Sequence, residues 1–180
     1  MIRAGSVGRK STWESTDWHE DGYEYEVSGD NEWDEKGRTM VSHIYVAYDE
    51  VIRSIQFGFL ENGALVLSEK YGPSEGFSFR VVRLNQDEYV TGLSGVLGVL
   101  DGRGAIRNLT FHTNRGKHGP IGRSIDVHRS GSQVEIDLAI RERREFGGFF
   151  GSYNQYNLSS IGIYVNPIEM SDTVVRPENT

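Results

Sequence analysis

The chain is 180 residues long, carries 26 acidic against 19 basic side chains for a formal charge of -7, and has no cysteine. That length supports one core of ordinary size and not two. The missing cysteines exclude disulfides, a thiol nucleophile, iron–sulfur clusters and thiolate zinc sites, and 37% hydrophobic residues exclude a disordered chain.

From the N-terminus, Met1–Ser6 is followed by no apolar run, and no stretch nears the ~18 apolar residues of a membrane span. The expectation is a cytoplasmic protein without membrane contact. Asn108-Leu109-Thr110 and Asn157-Leu158-Ser159 fit the glycosylation sequon, but in that compartment they are chance matches. An early strand covers Ile2–Gly8. Residues 14–35 then hold ten acids and no Lys or Arg, leaving 16 acids against all 19 bases elsewhere. Trp13, Trp18, Tyr23, Tyr25 and Trp33 lie in or beside this window, so it reads as an acidic, aromatic-rich insertion rather than a solvating tail. It could dock a basic protein partner or pack on the end of the domain. No dense basic patch exists, which argues against nucleic acid.

Beyond the window the dominant period is two. Strands are predicted at Ile44–Tyr48, at Ser54–Phe59 (apolar Ile55, Phe57 and Phe59), and at Leu65–Leu67, Phe77–Leu84 and Tyr89–Leu93. Leu93–Leu100 contains Gly95 and Gly98, each costing a helix ~1 kcal/mol, and is read as strand, turn and strand. Further strands follow at Asn108–Thr113, Val134–Ile140 and Ile161–Val165, with turns at Glu61-Asn62-Gly63, Asp101-Gly102-Arg103-Gly104 and Ser130-Gly131. Many short strands without a helical period predict an antiparallel all-β sandwich, barrel or prism. Glycine, at 22 residues, is about 12% against the usual ~7%, which suits turns. Lys70-Tyr71-Gly72-Pro73 is echoed by Lys117-His118-Gly119-Pro120, as repeated hairpin units would require.

Three blocks carry a resemblance: Val90–Gly95 with Ile106–Asn114, then His118–Gly122, then Phe146–Gly151 leading into Leu158–Val165. In this order and spacing they resemble the jacalin-related lectins. The resemblance implies an all-β fold, a β-prism of three four-stranded Greek-key sheets with pseudo-threefold symmetry. It makes residues 1–168 one lectin-type domain and 169–180 a flexible polar tail. It further implies carbohydrate binding through loops at one end of the prism, with glycans or glycoproteins of mannose type as partners. Gly151-Ser152-Tyr153, Leu158 and Ile161–Tyr164 look most like the plant group that restricts tobacco etch virus movement, which implies antiviral defence. Homo-oligomers through strand edges or sheet faces are also expected of such lectins.

In that family a Gly-x-x-x-Asp motif before the last strand supplies a carboxylate and backbone N–H groups that grip sugar hydroxyls. Here Gln155 stands at the Gly position and Ser159 at the Asp position, so the strong charge-assisted hydrogen bonds are lost. The first loop departs as well, with Gly8-Arg9-Lys10 in place of the usual Gly-Gly pair. The candidate carbohydrate contacts are therefore Gly8, Gly151, Tyr153, Asn154, Gln155, Tyr156, Asn157 and Ser159. Tyr153 and Tyr156 either stack on the apolar face of a sugar, or one packs under its own loop and the other is simply exposed. The amides of Asn154, Gln155 and Asn157 suit a polar ligand but equally an ordinary surface loop.

No catalytic, metal or cofactor site is expected. Glu135 and Asp137 share one face of a strand and read as its solvent side. Asp126 and His128, with Ser124 or Ser130 nearby, lack a nucleophile elbow. His19, His43, His112, His118 and His128 form no ligand spacing, and His118 reads as structural. The alternative to a lectin is a protein-interaction module that has lost its sugar site and restricts virus movement.

Overall fold

A computed structural model describes residues 1–11, 15–18, 24–27, 30–74, 76–123 and 132–168. The predicted tail, Ser124 to Ser130, and parts of the acidic window lie outside the described residues. Among the described residues there are fourteen strands: β1 (Ile2–Gly8), β2 (Ser15–Trp18), β3 (Glu24–Val27), β4 (Asn31–Asp34), β5 (Val41–Tyr48), β6 (Ile52–Glu61), β7 (Ala64–Leu67), β8 (Ser78–Arg83), β9 (Val90–Leu100), β10 (Arg103–Thr113), β11 (Gly116–Gly122), β12 (Gln133–Asp137), β13 (Phe146–Tyr153) and β14 (Leu158–Val165). Twelve of them form three antiparallel four-stranded sheets, ordered β1-β14-β13-β4, β7-β6-β5-β8 and β11-β10-β9-β12, while β2 and β3 pair separately. The architecture is a β-prism, as the resemblance implies.

Each sheet turns one face inward because its strands alternate apolar and polar residues. The inner faces meet at three phenylalanines, one per sheet: Phe57 on β6, Phe111 on β10 and Phe149 on β13, all fully buried. Phe149 stacks on Phe57 at 4.8 Å and meets Phe111 edge-on at 6.0 Å. Ile44, Ile55, Leu93, Ile106, Ile161 and Ile163 fill the space around them.

Three readings of the sequence need correction. Leu93–Leu100 is not strand, turn and strand but part of β9, eleven residues without a break. Its glycines serve close approach: a Cβ at Gly92 would run into the Ile136 carbonyl of β12. The strand predicted to Ile140 ends at Asp137, because Ala139 takes a left-handed φ of 47°. The end of the acidic window is built into the prism, where β4 pairs with β13 and Trp33 and Glu35 are buried. Trp33 stacks on Tyr71 at 4.6 Å, and the Tyr71 hydroxyl donates to Glu35 Oε1. Burial first, and then this bond, push the Tyr71 hydroxyl well above its ordinary pKa.

The repeated Gly-Pro turn has a chemical counterpart. Where Tyr71 bonds the buried Glu35, His118 lies 2.7 Å from the buried Glu88, which also accepts from Thr113 Oγ1 (2.7 Å) and the Asn85 N–H (3.0 Å). Burial alone would raise the Glu88 carboxyl. The three hydrogen bonds outweigh it and hold the pKa below the ordinary 4.5.

Two outcomes follow. Phe149→Ala removes the ring that touches both other sheets, and urea unfolding should show a loss of about 3–5 kcal/mol. Because the native pKa of Glu88 is depressed, its contribution is complete above pH 4.5 and fades as pH falls toward that native value. The urea midpoint of the parent chain should drop across that window, whereas Glu88→Gln should be weaker at neutral pH and lack this part of the slope.

Candidate functional site

At one end of the prism the three inner hairpins converge. They are the β5–β6 turn around Asp49, the β9–β10 turn at Asp101-Gly102, and the longer β13–β14 loop Asn154–Asn157. The last is held by contacts from the other two. Arg53, clamped by both oxygens of Asp49 at 2.9 and 3.0 Å, donates through Nη1 to the Tyr156 carbonyl at 2.8 Å. The Arg103 guanidinium sits 4.1 Å from the centre of the Tyr156 ring.

The loop carries its own scaffold. Asn154 Oδ1 accepts the backbone N–H of Tyr156 at 2.8 Å and of Asn157 at 3.0 Å, an Asx-type turn. Asn154 Nδ2 donates to Asp30 Oδ1 at 3.2 Å, and Asp30 Oδ2 accepts the Ser11 N–H at 2.7 Å. Asp30 thus ties the segment after β1 to the β13–β14 loop and places a carboxylate between them.

The eight residues singled out by sequence divide sharply. Gly8 and Gly151 are buried packing positions. A Cβ at Gly8, where φ is +82°, would strike the Ser159 carbonyl, and one at Gly151 would strike the Ser160 carbonyl and the Trp33 ring. Ser159 is 3% exposed, with its hydroxyl 2.7 Å from that of Ser152. Asn157 is also buried, its amide donating to the Leu158 carbonyl at 2.9 Å. Tyr153 is partly buried and tilts against Tyr71 at 6.2 Å. Only Asn154, Gln155 and Tyr156 present side chains at the rim, and Tyr156 is 41% exposed. Tyr153 thus packs beneath the loop, while Tyr156 stands at the surface with Arg103 against its ring.

Asp30, Arg53 and Arg103 were not named as site residues from the sequence. Asp30 was hidden among ten acids, and the arginines come from hairpins about 50 and 100 residues away from the loop they hold. The Asp101–Gly104 turn was the available signal for Arg103, but a turn motif says nothing of what its neighbours touch.

A prism of three Greek-key sheets with its hairpins gathered at one end defines the lectin-type β-prism class. The Jacalin-like lectin domain model matches residues 25–164, and the chain belongs to that family. Jacalin-related lectin 24 of Arabidopsis thaliana is 51% identical over 144 residues, which are 77% of this chain and 62% of that lectin, so the chain spans about three fifths of that lectin's length. Protein RESTRICTED TEV MOVEMENT 1 of Arabidopsis thaliana is 36% identical over 139 residues, 75% of this chain and 77% of the relative. Among solved structures, a mannose-specific jacalin-related lectin from Morus nigra in complex with mannose has a TM-score of 0.68 at 22% identity, covering 92% of this chain and 94% of its own; it is alike in fold.

Replacing Asn154 with Ala removes the acceptor of two loop amides. Hydrogen exchange at Tyr156 and Asn157 should accelerate at least tenfold, and global stability should fall by about 1–2 kcal/mol.

Proposed function

We propose that this chain is a non-enzymatic glycan-recognition domain whose contact surface is the rim of the hairpin end: Tyr156, Asn154 and Gln155, with Asp30 supplying the carboxylate. The observation that carries this reading is the position of Asp30. Position 159 holds a buried serine, but a carboxylate from another segment reaches the same loop and is held by two hydrogen bonds. A carboxylate retains lone pairs for sugar hydroxyls after accepting two bonds. The Tyr156 ring offers an apolar face to a pyranose beside it. Kinship to a lectin family supports a sugar ligand, and the mannose complex of the Morus nigra lectin supports mannose-type glycans as the first probes. The domain boundaries 1–168, the cytoplasmic setting and a role in plant defence belong to this same reading.

One observation favours the second reading, a protein-interaction module. The backbone donors of Tyr156 and Asn157 are already taken by Asn154, so the main chain of this loop offers a sugar little. The relative named for restricted virus movement is consistent with a protein partner. In that case the acidic residues before β4 would be the contact.

On a glycan array the parent chain should bind mannose-type structures, with Asp30→Asn and Tyr156→Ala each weakening binding about tenfold or more. A blank array would sink the sugar reading. Partner capture abolished by deleting residues 15–27, which leaves β4 intact, would then favour the second. Ser159→Asp should not create a stronger sugar site, because it forces a carboxylate into a closed position and lowers the melting temperature.

A further inference from the structure

The sheet β11-β10-β9-β12 buries Leu93, Phe111 and Ile136 on its inner face. The residues that alternate with them must point outward. The strand register lines up Lys117, His112, Gly92 and Asp137 in one row across all four strands, and it sets Ser94 beside Glu135 two positions on. Position 92 has no side chain and tolerates none, since a Cβ there would meet the Ile136 carbonyl. The row is therefore broken between β10 and β12, two strand spacings or about 9.5 Å apart.

That gap is a cleft of about 410 Å³, within the size range of small-molecule sites. His112 and Lys117 form one wall and Glu135 and Asp137 the other, and Thr91 and Ile136 also line the cleft. The His112 ring is oriented by a 2.8 Å hydrogen bond between Nε2 and Ser94 Oγ. Asp137 uses Oδ1 to accept the Ala139 N–H at 3.1 Å. Among the described residues, neither Lys117, Glu135 nor Asp137 is in a salt bridge, so both walls keep hydrogen-bonding capacity facing the gap.

The chemistry of the walls selects the ligand. An anion meets Glu135 and Asp137, a cation meets Lys117, and an apolar molecule finds Ile136 but would strip water from Lys117, Glu135 and Asp137 without replacing it. A neutral molecule rich in hydroxyls satisfies both sides, donating to the carboxylates and accepting from the ammonium and imidazole. We propose that this cleft is a second ligand site on the flank of the prism, taking a neutral saccharide of one or two rings. It shares no residue with the hairpin end and stands apart from the reading proposed for that end.

The test is a titration of the full chain with maltose and with α-mannobiose, followed by amide proton–nitrogen correlation spectra. The amides of Gly92, Gly116 and Glu135 should shift saturably with at least one of the two sugars. Lys117→Ala and Asp137→Asn, both at exposed positions, should each weaken that response about tenfold. Asp30→Asn should leave it intact, so failure at the hairpin end and failure at the flank are told apart. The proposal is overturned if the cleft amides stay still with both sugars. It is also overturned if their shifts survive the Lys117→Ala, Asp137→Asn double variant, or if diglycine, a zwitterion, moves them and the sugars do not.

Discussion

Everything in this molecule hangs on the meeting of Phe57, Phe111 and Phe149. Each four-stranded sheet is too small to bury its own apolar face, and a two-layer sandwich would leave the third sheet uncovered. Three sheets closing on a common axis solve the problem only if the axis is filled. One large ring per sheet does so, with Phe149 in contact with both others. The buried Glu35–Tyr71 and Glu88–His118 bonds sit on the periphery of that core and fix how the Gly-Pro segments lie against it. Apolar contact gives the fold its depth, and these polar pairs give it register.

The same closure explains why the candidate site proposed here lies at the hairpin end. A sheet fixed on its inner face has freedom only in its turns and on its outer surface. At the hairpin end the three inner turns lie close enough for Arg53 and Arg103 to brace a loop from another sheet. The backbone N–H groups of Tyr156 and Asn157 are taken by Asn154, so the proposed recognition rests on side chains at the rim. Ser159 is part of the packing, bonded to Ser152, and Asp30 lies in the gap between loops.

The fold was legible in the sequence because period-two alternation is a local signal. Ile55, Phe57 and Phe59, or Leu109 and Phe111, declare a half-buried strand by themselves. β4 was not legible. Asn31-Glu32-Trp33-Asp34 shows one apolar residue among polar ones, and its strand state is imposed by pairing with β13. β9 was misread for the opposite reason, since glycine marks both turns and close strand approach and the sequence does not say which. At the site, residues of one loop could be named from the motif they replace. Asp30, Arg53 and Arg103 could not, because their roles exist only after distant hairpins are brought together.

The Asx turn built on Asn154 bears on the thermodynamics of whatever binds there. A loop that needs its ligand to order it loses conformational entropy at the moment of association, and that loss subtracts directly from affinity. Here the turn is ordered beforehand by a side chain of its own, with Arg53 and Asp30 anchoring it to two other segments. Association at the Tyr156 rim should accordingly behave as the docking of a rigid surface. Its entropic penalty would then lie mainly in the incoming molecule, and selectivity would come from shape at the rim rather than from a fit that develops on contact.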